Sequence, residues 1–469
     1  MPDGPPSNAT SRQLVASQFN CFVPSAFDGI VLMYNSASGA FAAVTASEFE
    51  DIAAVFDNPG AASAEETAGL AEAGFLVPVD HDEREAVRQS YFEGRAAERG
   101  LNLTIAPTVS CNFACSYCFE EHPKRHFSEA DLKAVAAYVR ENLEPGAPLN
   151  VTWFGGEPLA AFRQLAELDA ALQDIADDCG SAYTQFMITN GSLLTEKRIA
   201  YFASRPGFSG AQVTIDGPAD IHDGRRFTSA GKPSFERILE NLKAINGRFP
   251  ISLRINLDRE NVNRIPELID QIIEEGIGGW VSPYFGHVVD YTDECGDLGE
   301  TMLSREEFAA AEVRLLTLMV RKGSRPGFEL PRPHAGSLCV GDAPGGAVIS
   351  PGGLVFRCWN ETALPEGEAY ARIGEDGAMA VNGVKEERNR FWKDYDPFTH
   401  AECQTCSVQP LCKGGCPWEA EKRPSDGPGH CTPLRYNLPD LLRLIHLRDS
   451  IDAIEPDGDA RPPLPRQTI

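Results

Sequence analysis

Two periodicities divide the chain. Between about residue 101 and Gly323, short apolar or alternating runs recur, separated by longer stretches whose apolar positions repeat at helical spacing. The runs 103–106, 150–154, 185–189, 212–215, 252–256 and 280–283 read as strands. Between the first two, Ser128 is placed to cap a helix, with Leu132, Val135, Ala136, Val139 and Leu143 on one face. Another helix opens on the capping box Ser304-Arg305-Glu306-Glu307 and ends at Gly323. Strands that alternate with helices build a parallel sheet, and six such units predict an α/β fold with a partial (β/α)6 TIM-like barrel.

The flanks have other rhythms. Residues 30–34 and 40–44 read as strands joined by the turn Asn35-Ser36-Ala37-Ser38-Gly39. Helices follow near 46–56 and 64–73, Gly74 ends the second, and 75–79 reads as a closing strand, which together predict a winged-helix-like module. From about Gly327 the periodicity fades and Gly, Pro and Cys dominate as far as Cys431, a stretch that metal ligation rather than a large apolar core would hold together. Residues 438–450 read as a terminal helix, and the Pro-rich end from Arg461 as disordered. The predicted division is 1–95, 96–325, 326–440 and 441–469.

Composition narrows the function. With 469 residues, 42% apolar and 23% charged, the chain is ordinary globular protein of two or three domains. A formal net charge of −26 argues against a nucleic-acid partner, because phosphate binding needs a basic footprint. No stretch approaches the roughly 18 apolar residues of a membrane span, and Met1 to Ala16 lacks the apolar centre of an export signal. The expected location is the cytoplasm, with no membrane partner.

In that reducing setting thirteen cysteines call for metal or redox chemistry rather than disulfides. Cys21, Cys179 and Cys295 stand apart and read as ordinary thiols; the other ten are grouped. Cys111, Cys115 and Cys118 have the spacing C-x3-C-x2-C on one loop after the first barrel strand. Three thiolates there can hold three irons of a [4Fe–4S] cube and leave the fourth open. Zinc fits poorly, since its four-cysteine sites come as separated C-x2-C pairs. Further on stand Cys339, Cys358, Cys403, Cys406, Cys412, Cys416 and Cys431.

The three-cysteine loop, with Tyr117 before its last cysteine, resembles the signature of the radical S-adenosylmethionine (SAM) superfamily. The resemblance implies that the open iron chelates SAM and that reductive cleavage gives a 5′-deoxyadenosyl radical, which takes a hydrogen atom from the substrate. Later motifs agree, each at the C-terminal end of a strand where barrel sites gather. Gly155-Gly156-Glu157-Pro158 is similar to the family's GGE motif, whose backbone and carboxylate meet the SAM ammonium. Asn190 in Thr189-Asn190-Gly191, Thr214 in Thr214-Ile-Asp216-Gly217, Arg226 in His222-Asp-Gly-Arg-Arg226, and Arg254 with Asn256 are the other expected SAM contacts.

The seven later cysteines resemble the SPASM extension, which implies two auxiliary [4Fe–4S] clusters and three in all. Cys403, Cys406, Cys412 and Cys431 would ligate the outer one, and Cys339, Cys358 and Cys416 the inner one. Some relatives carry an eighth cysteine just before the first; here Pro331, Arg332, Pro333 and His334 stand there, so the inner cluster has an open iron or a distant ligand such as Cys295. Sulfatase-maturing members resemble Cys-Asp at the second of the seven, the Asp serving as base. This chain has Cys358-Trp359, which disfavours formylglycine formation. The module at 1–95 is similar to winged-helix domains that capture precursor leader peptides as an added strand. The expected activity is therefore oxidative modification of a ribosomally made precursor peptide, through a thioether or carbon–carbon crosslink, with a flavodoxin or ferredoxin as electron donor. Two alternatives remain: a dehydrogenase of a small molecule, and a non-catalytic iron–sulfur electron carrier or scaffold.

Overall fold

A computed structural model describes residues 13–118, 120, 122–290, 298–324, 326–422 and 431–454. Cys295 and the Pro-rich end from Arg461 lie outside them.

The six expected strand–helix units form in sequence: β6 (Leu101–Ile105), α4 (Glu129–Asn142), β7 (Leu149–Trp153), α5 (Phe162–Cys179), β8 (Tyr183–Thr189), α6 (Glu196–Ala203), β9 (Phe208–Thr214), α7 (Ala219–Arg225), α8 (Phe235–Ile245), β10 (Ile251–Leu257), α9 (Ile265–Glu274), β11 (Val281–His287) and α10 (Arg305–Arg321). They follow β1 (Leu14–Ala16), β2 (Asn20–Pro24), β3 (Ile30–Asn35), β4 (Phe41–Thr45), α1 (Ala46–Asp57), α2 (Ala64–Glu72), β5 (Leu76–Pro78) and α3 (Glu83–Ala97). Ser128 and Ser304 cap α4 and α10 through reciprocal boxes with Asp131 and Glu307, as their spacing predicts.

Strands β6 to β11 are parallel neighbours in chain order. Register follows from the two-residue period. Leu101, Leu103 and Ile105 of β6 stand opposite Leu149, Val151 and Trp153 of β7, and all six are buried in one core with the helices. Asn102 and Asn150 take the opposite phase, where Asn150 Nδ2 donates to Asn102 Oδ1 at 2.8 Å. The barrel's inner wall is thus polar, which suits a site rather than a packed interior.

The sheet does not stop at the sixth unit. After α10 come β12 (Gly346–Ser350), β13 (Leu354–Phe356), β14 (Ala371–Ile373), β15 (Met379–Val381), α11 (Glu386–Asp394), α12 (Gln409–Cys412), α13 (Pro417–Lys422) and α14 (Leu434–Ile454). Strand β12 pairs parallel with β6, and β13 to β15 extend the sheet antiparallel to ten strands. The cysteine-rich region is therefore hydrogen-bonded to the barrel's first strand, the strand that carries Cys111 at its end.

At the N-terminus the expected hairpin is the second half of a β2-β3-β4 meander, and β1 pairs antiparallel with β5. Asn35 fixes the turn: its Oδ1 accepts from Ala37 and Ser38, and its Nδ2 donates to Ser17, Asn20 and Gly74, all at 2.9 Å. Strand β2 escaped the sequence reading because both its faces are apolar. Phe22 stacks on Phe56 and meets Phe49 edge-on, both on α1, while Val23 packs with Leu438 and Leu442 of α14, so no alternation shows. No helix among the described residues is long and apolar enough to cross a membrane.

Candidate functional site

The cysteine loop leaves β6 and is braced from both sides. Thr108 Oγ1 donates to the Arg125 carbonyl at 2.9 Å and Ser110 Oγ to that of Pro123 at 2.9 Å. On its other side lie the two glycines after β7. A Cβ on Gly155 (φ +118°) would stand 2.0 Å from the Thr108 carbonyl oxygen, and one on Gly156 would stand 2.5 Å from that of Ser110. The sequence reading gave these glycines to SAM; the structure adds a nearer cause, the backbone of the cysteine loop itself.

Glu157 is fully buried, and its carboxylate is engaged by the chain's own donors. It accepts from Leu159 N at 3.0 Å, Thr189 Oγ1 at 2.8 Å and Asn190 N at 2.8 Å. Burial raises its pKa against the pull of those donors. It ties the end of β7 to the Thr189-Asn190-Gly191 turn after β8. Asn190 in turn donates to Asn112 Oδ1 at 2.9 Å and lies 3.9 Å from Cys111 Sγ.

Tyr117 forms the opposite brace. Its hydroxyl donates to Asp216 after β9, and accepts from Arg226 at 2.7 Å and from Asn256 of β10 at 3.1 Å. Arg225 lies over its ring at 5.3 Å and pairs with the buried Asp258. Asp216 has no exposed surface and also accepts from Asn256 N at 3.1 Å. Thr214 stands opposite Arg254 in register. The Arg254 guanidinium donates to Asn256 at 2.7 Å, faces the Tyr284 ring at 6.0 Å, and occupies space that a side chain on Gly286 would fill. His222 is buried without exposure; its Nδ1 accepts from Asp216 N at 3.3 Å, and burial lowers its pKa to about 4.

Seven of the eight expected SAM contacts and the three loop cysteines therefore lie at or just past the C-terminal ends of β6 to β9, and the eighth, Arg254, stands mid-strand in β10 opposite Thr214. The residues fit a cluster together with a cofactor whose carboxylate needs a buried cation, here Arg226. Burial opposes the charge of Arg226, yet Cys115, Tyr117 and Asp216 hold its pKa well above the ordinary value. Its Nε is buried with no hydrogen-bond partner among the described residues.

The ten expected ligand cysteines are free thiols. Burial raises Cys111, and Glu157, Cys115 and Cys118 add to the effect. Burial also raises Cys339 and Cys358, and each is raised further by Cys416. Cys403 and Cys412 are pushed up to about 11 and about 12 by burial, with Cys406 and Cys431 as the neighbouring thiols. Buried thiols this reluctant to ionise need a positive partner to become thiolates, which iron supplies. Among the described residues no three His, Cys, Asp or Glu side chains converge on a single-ion site.

Sequence reasoning missed Glu120. It is 8% exposed, two residues past Cys118, and accepts from Thr362 Oγ1 at 2.7 Å; burial raises its pKa to about 7. A carboxylate so near the last cysteine is the signal that could have found it. The reading also missed that Trp359, directly after Cys358, stacks on Phe154, directly before Gly155.

Residues 105–272 match the family described as the Radical SAM superfamily. A serine-type anaerobic sulfatase-maturating enzyme of Bacteroides thetaiotaomicron is 31% identical over 377 residues, 70% of this chain and 85% of that protein. The chain belongs to the radical SAM superfamily. As a radical SAM enzyme it works with a [4Fe–4S] cluster and SAM. The PqqA peptide cyclase of Gluconobacter oxydans is 23% identical over 329 residues, 68% of this chain and 86% of its own. Among solved structures, native anSMEcpe with bound AdoMet and Cp18Cys peptide superposes with a TM-score of 0.57 at 17% identity. That match covers 75% of this chain and 99% of the other, and at such identity it speaks to the fold.

Proposed function

We propose that this radical SAM enzyme oxidatively modifies a ribosomally made precursor peptide, with a thioether or carbon–carbon crosslink as the product. The observation that carries the reading is the placing of its later cysteines beside the barrel. Beside the SAM-site trio stand seven further free cysteines, Cys339, Cys358, Cys403, Cys406, Cys412, Cys416 and Cys431, in the region whose strand β12 pairs with β6, the first barrel strand. These are the cysteines expected for an inner and an outer auxiliary [4Fe–4S] cluster. An electron carrier needs neither a SAM pocket nor two such clusters behind it. Relatives by sequence include the PqqA peptide cyclase and the sporulation killing factor maturation protein SkfB of Bacillus subtilis, whose names point to peptide substrates.

When bound, the cluster and SAM supply the one-electron chemistry that removes a hydrogen atom from an unactivated carbon. The chain's own residues hold and align. Cys111, Cys115 and Cys118 hold the cluster, while the backbone at Gly155 and Gly156, with Arg226, Thr214 and Arg254, surrounds SAM. Glu157 and Tyr117 act mainly through the loops they brace, one fixing Asn190 and the other fixing the cysteine loop against β9 and β10. Cys339, Cys358 and Cys416 would hold the inner cluster, with a further ligand supplied by a substrate group or from outside the described residues. A flavodoxin or ferredoxin provides the electrons.

The N-terminal module supports a peptide rather than a small molecule. Strand β4 pairs only with β3 among the described strands, so its outer edge is available for an added strand. A second reading, oxidation of a Ser or Cys side chain, is favoured by the 31% identity to a serine-type sulfatase-maturating enzyme. Trp359 weighs against it, since an indole cannot take the proton that such an oxidation releases.

The test is anaerobic reconstitution with SAM and dithionite, followed by incubation with short peptides encoded beside the gene. The reading expects 5′-deoxyadenosine together with a peptide lighter by about two hydrogens per modification. A conversion that stops at a Ser or Cys aldehyde would install the second reading. A small-molecule product with unchanged peptides would end both.

A further inference from the structure

Between the GGE motif and Cys358, two aromatic rings from separate parts of the chain meet. Phe154 continues β7 on the phase opposite the core residues Leu149, Val151 and Trp153, and it is 8% exposed. Its ring stacks on Trp359 with centroids 5.8 Å apart and planes at 25°. One ring thus adjoins Gly155-Gly156-Glu157, and the other adjoins Cys358.

The loop that carries Trp359 is held firmly. Glu361 accepts from Arg357 N and Cys358 N, Thr362 Oγ1 donates to Glu120 at 2.7 Å, and Arg125 donates to the carbonyls of Ala363 at 2.8 Å and Leu364 at 3.2 Å. Glu120 and Arg125 both belong to the segment just after the SAM-site cysteines. The indole is therefore pinned from the barrel side, and its orientation is set before any substrate arrives.

A charged side chain pressed against such a pair of rings loses hydration and gains no partner, whereas a ring or a branched aliphatic chain gains contact area. The geometry points to Phe154 and Trp359 as the specificity wall for the reacting residue, and to an apolar side chain, aromatic or aliphatic, as the one placed there. This rests on the peptide-maturase reading above and adds the class of residue that is modified.

The experiment uses the full-length reconstituted enzyme with SAM, dithionite and four forms of the precursor peptide encoded beside the gene, leader segment included. One core residue is Phe, Leu, Asp or Lys, deuterated on its side-chain carbons. Mass spectrometry reads deuterium in 5′-deoxyadenosine as a fraction of all deoxyadenosine formed, which normalises for differences in total turnover. Expected is transfer from Phe and Leu at least about tenfold above Asp and Lys, kept by Trp359→Phe and lost by Trp359→Ala. Iron content checks that both variants are loaded alike, and Phe154→Ala serves as the second variant should Trp359→Ala not fold. Equal or greater transfer from Asp or Lys, or an undiminished preference in the alanine variants, overturns the proposal. Deoxyadenosine without deuterium from any peptide refutes the peptide reading instead, and takes the proposal with it.

Discussion

Gly156 is where a single methyl group should reach the chemistry. Its φ lies outside the left-handed region, so Gly156→Ala tests space alone rather than backbone strain. The added Cβ would stand 2.5 Å from the Ser110 oxygen, 2.6 Å from its carbonyl carbon and 2.7 Å from the Val109 oxygen. All three are backbone atoms of the loop that leads into Cys111, and none can rotate away. That loop is held by Glu157 N donating to the Ser110 carbonyl at 3.0 Å and by Gly156 N donating to that of Thr108 at 3.2 Å. To restore ordinary contact the two loops must part by roughly 1 Å. Overpacking of this kind costs about 1–3 kcal/mol, and a shift of about 1 Å at a reacting centre lowers rates on the order of 100-fold. The assay is anaerobic 5′-deoxyadenosine formation under dithionite beside iron per chain. The variant should lose about two orders of magnitude in rate while the auxiliary iron stays in place. Gly367→Ala, with nothing within 4 Å, is the control and should behave as wild type. Deoxyadenosine formation within about threefold of wild type, a difference below 1 kcal/mol, would refute the steric account of the GG pair.

Three further outcomes follow from the same geometry. Tyr117→Phe keeps the ring under Arg225 but strips the hydroxyl from Asp216, Arg226 and Asn256; it should cost about 1–3 kcal/mol and weaken the SAM-induced change in the cluster's electron paramagnetic resonance spectrum, and an unaltered spectrum would make Tyr117 incidental. Iron analysis should give about twelve per chain, about eight in Cys339→Ala or Cys431→Ala, and about four with both; about four in the wild type would remove the auxiliary clusters from the proposal. His222 is held neutral, with a folded pKa of about 4 against the usual 6.5, so the unfolded chain binds more protons between those values and stability falls as pH drops from about 6.5 to 4, by on the order of 3 kcal/mol; His222→Gln should flatten that part of an anaerobic denaturation profile, and an unchanged slope would place the titration elsewhere.

The barrel was legible because its signals are local. Each strand's apolar phase and each cap, Ser128 and Ser304 among them, is written within a few residues, and the structure keeps them to within a few positions. The motif residues were legible for the same reason, since each lies in or just past a strand. The missed features depend on partners far along the chain. β12 reads as no strand in a stretch of Gly and Pro until β6 is beside it, because its hydrogen bonds reach back to Asn102 and Ile105. Glu120 shows its importance only when Thr362 is brought near, and Phe154 only when Trp359 is. The spacing of the cysteines says nothing of the side chains, such as Phe154 and Trp359, that come together between them.

One of those long-range partnerships changes how the N-terminal module should be tested. Helix α3, which the sequence analysis did not name, lies within the predicted 1–95 unit, yet it runs along both auxiliary loops. At its start Glu83 accepts from Ser17 and from Gln18 N, holding the turn between β1 and β2. Arg84 donates to the Cys403 carbonyl at 2.9 Å and to Gln409 at 2.7 Å, which reaches the outer group. A turn or two later Tyr91 donates to Asp342 at 2.7 Å, and Asp342 receives Cys339 N at 2.8 Å, which reaches the inner one. Glu98 completes the run by accepting from Ser337 Oγ at 2.8 Å. Deleting residues 1–95 would therefore unseat both cysteine groups along with the peptide-binding edge, and a loss of activity would not separate the two causes. Substitutions confined to β4 leave α3 and its contacts intact. They are the cleaner way to ask whether that edge holds a peptide, because cluster content should stay constant while peptide modification falls.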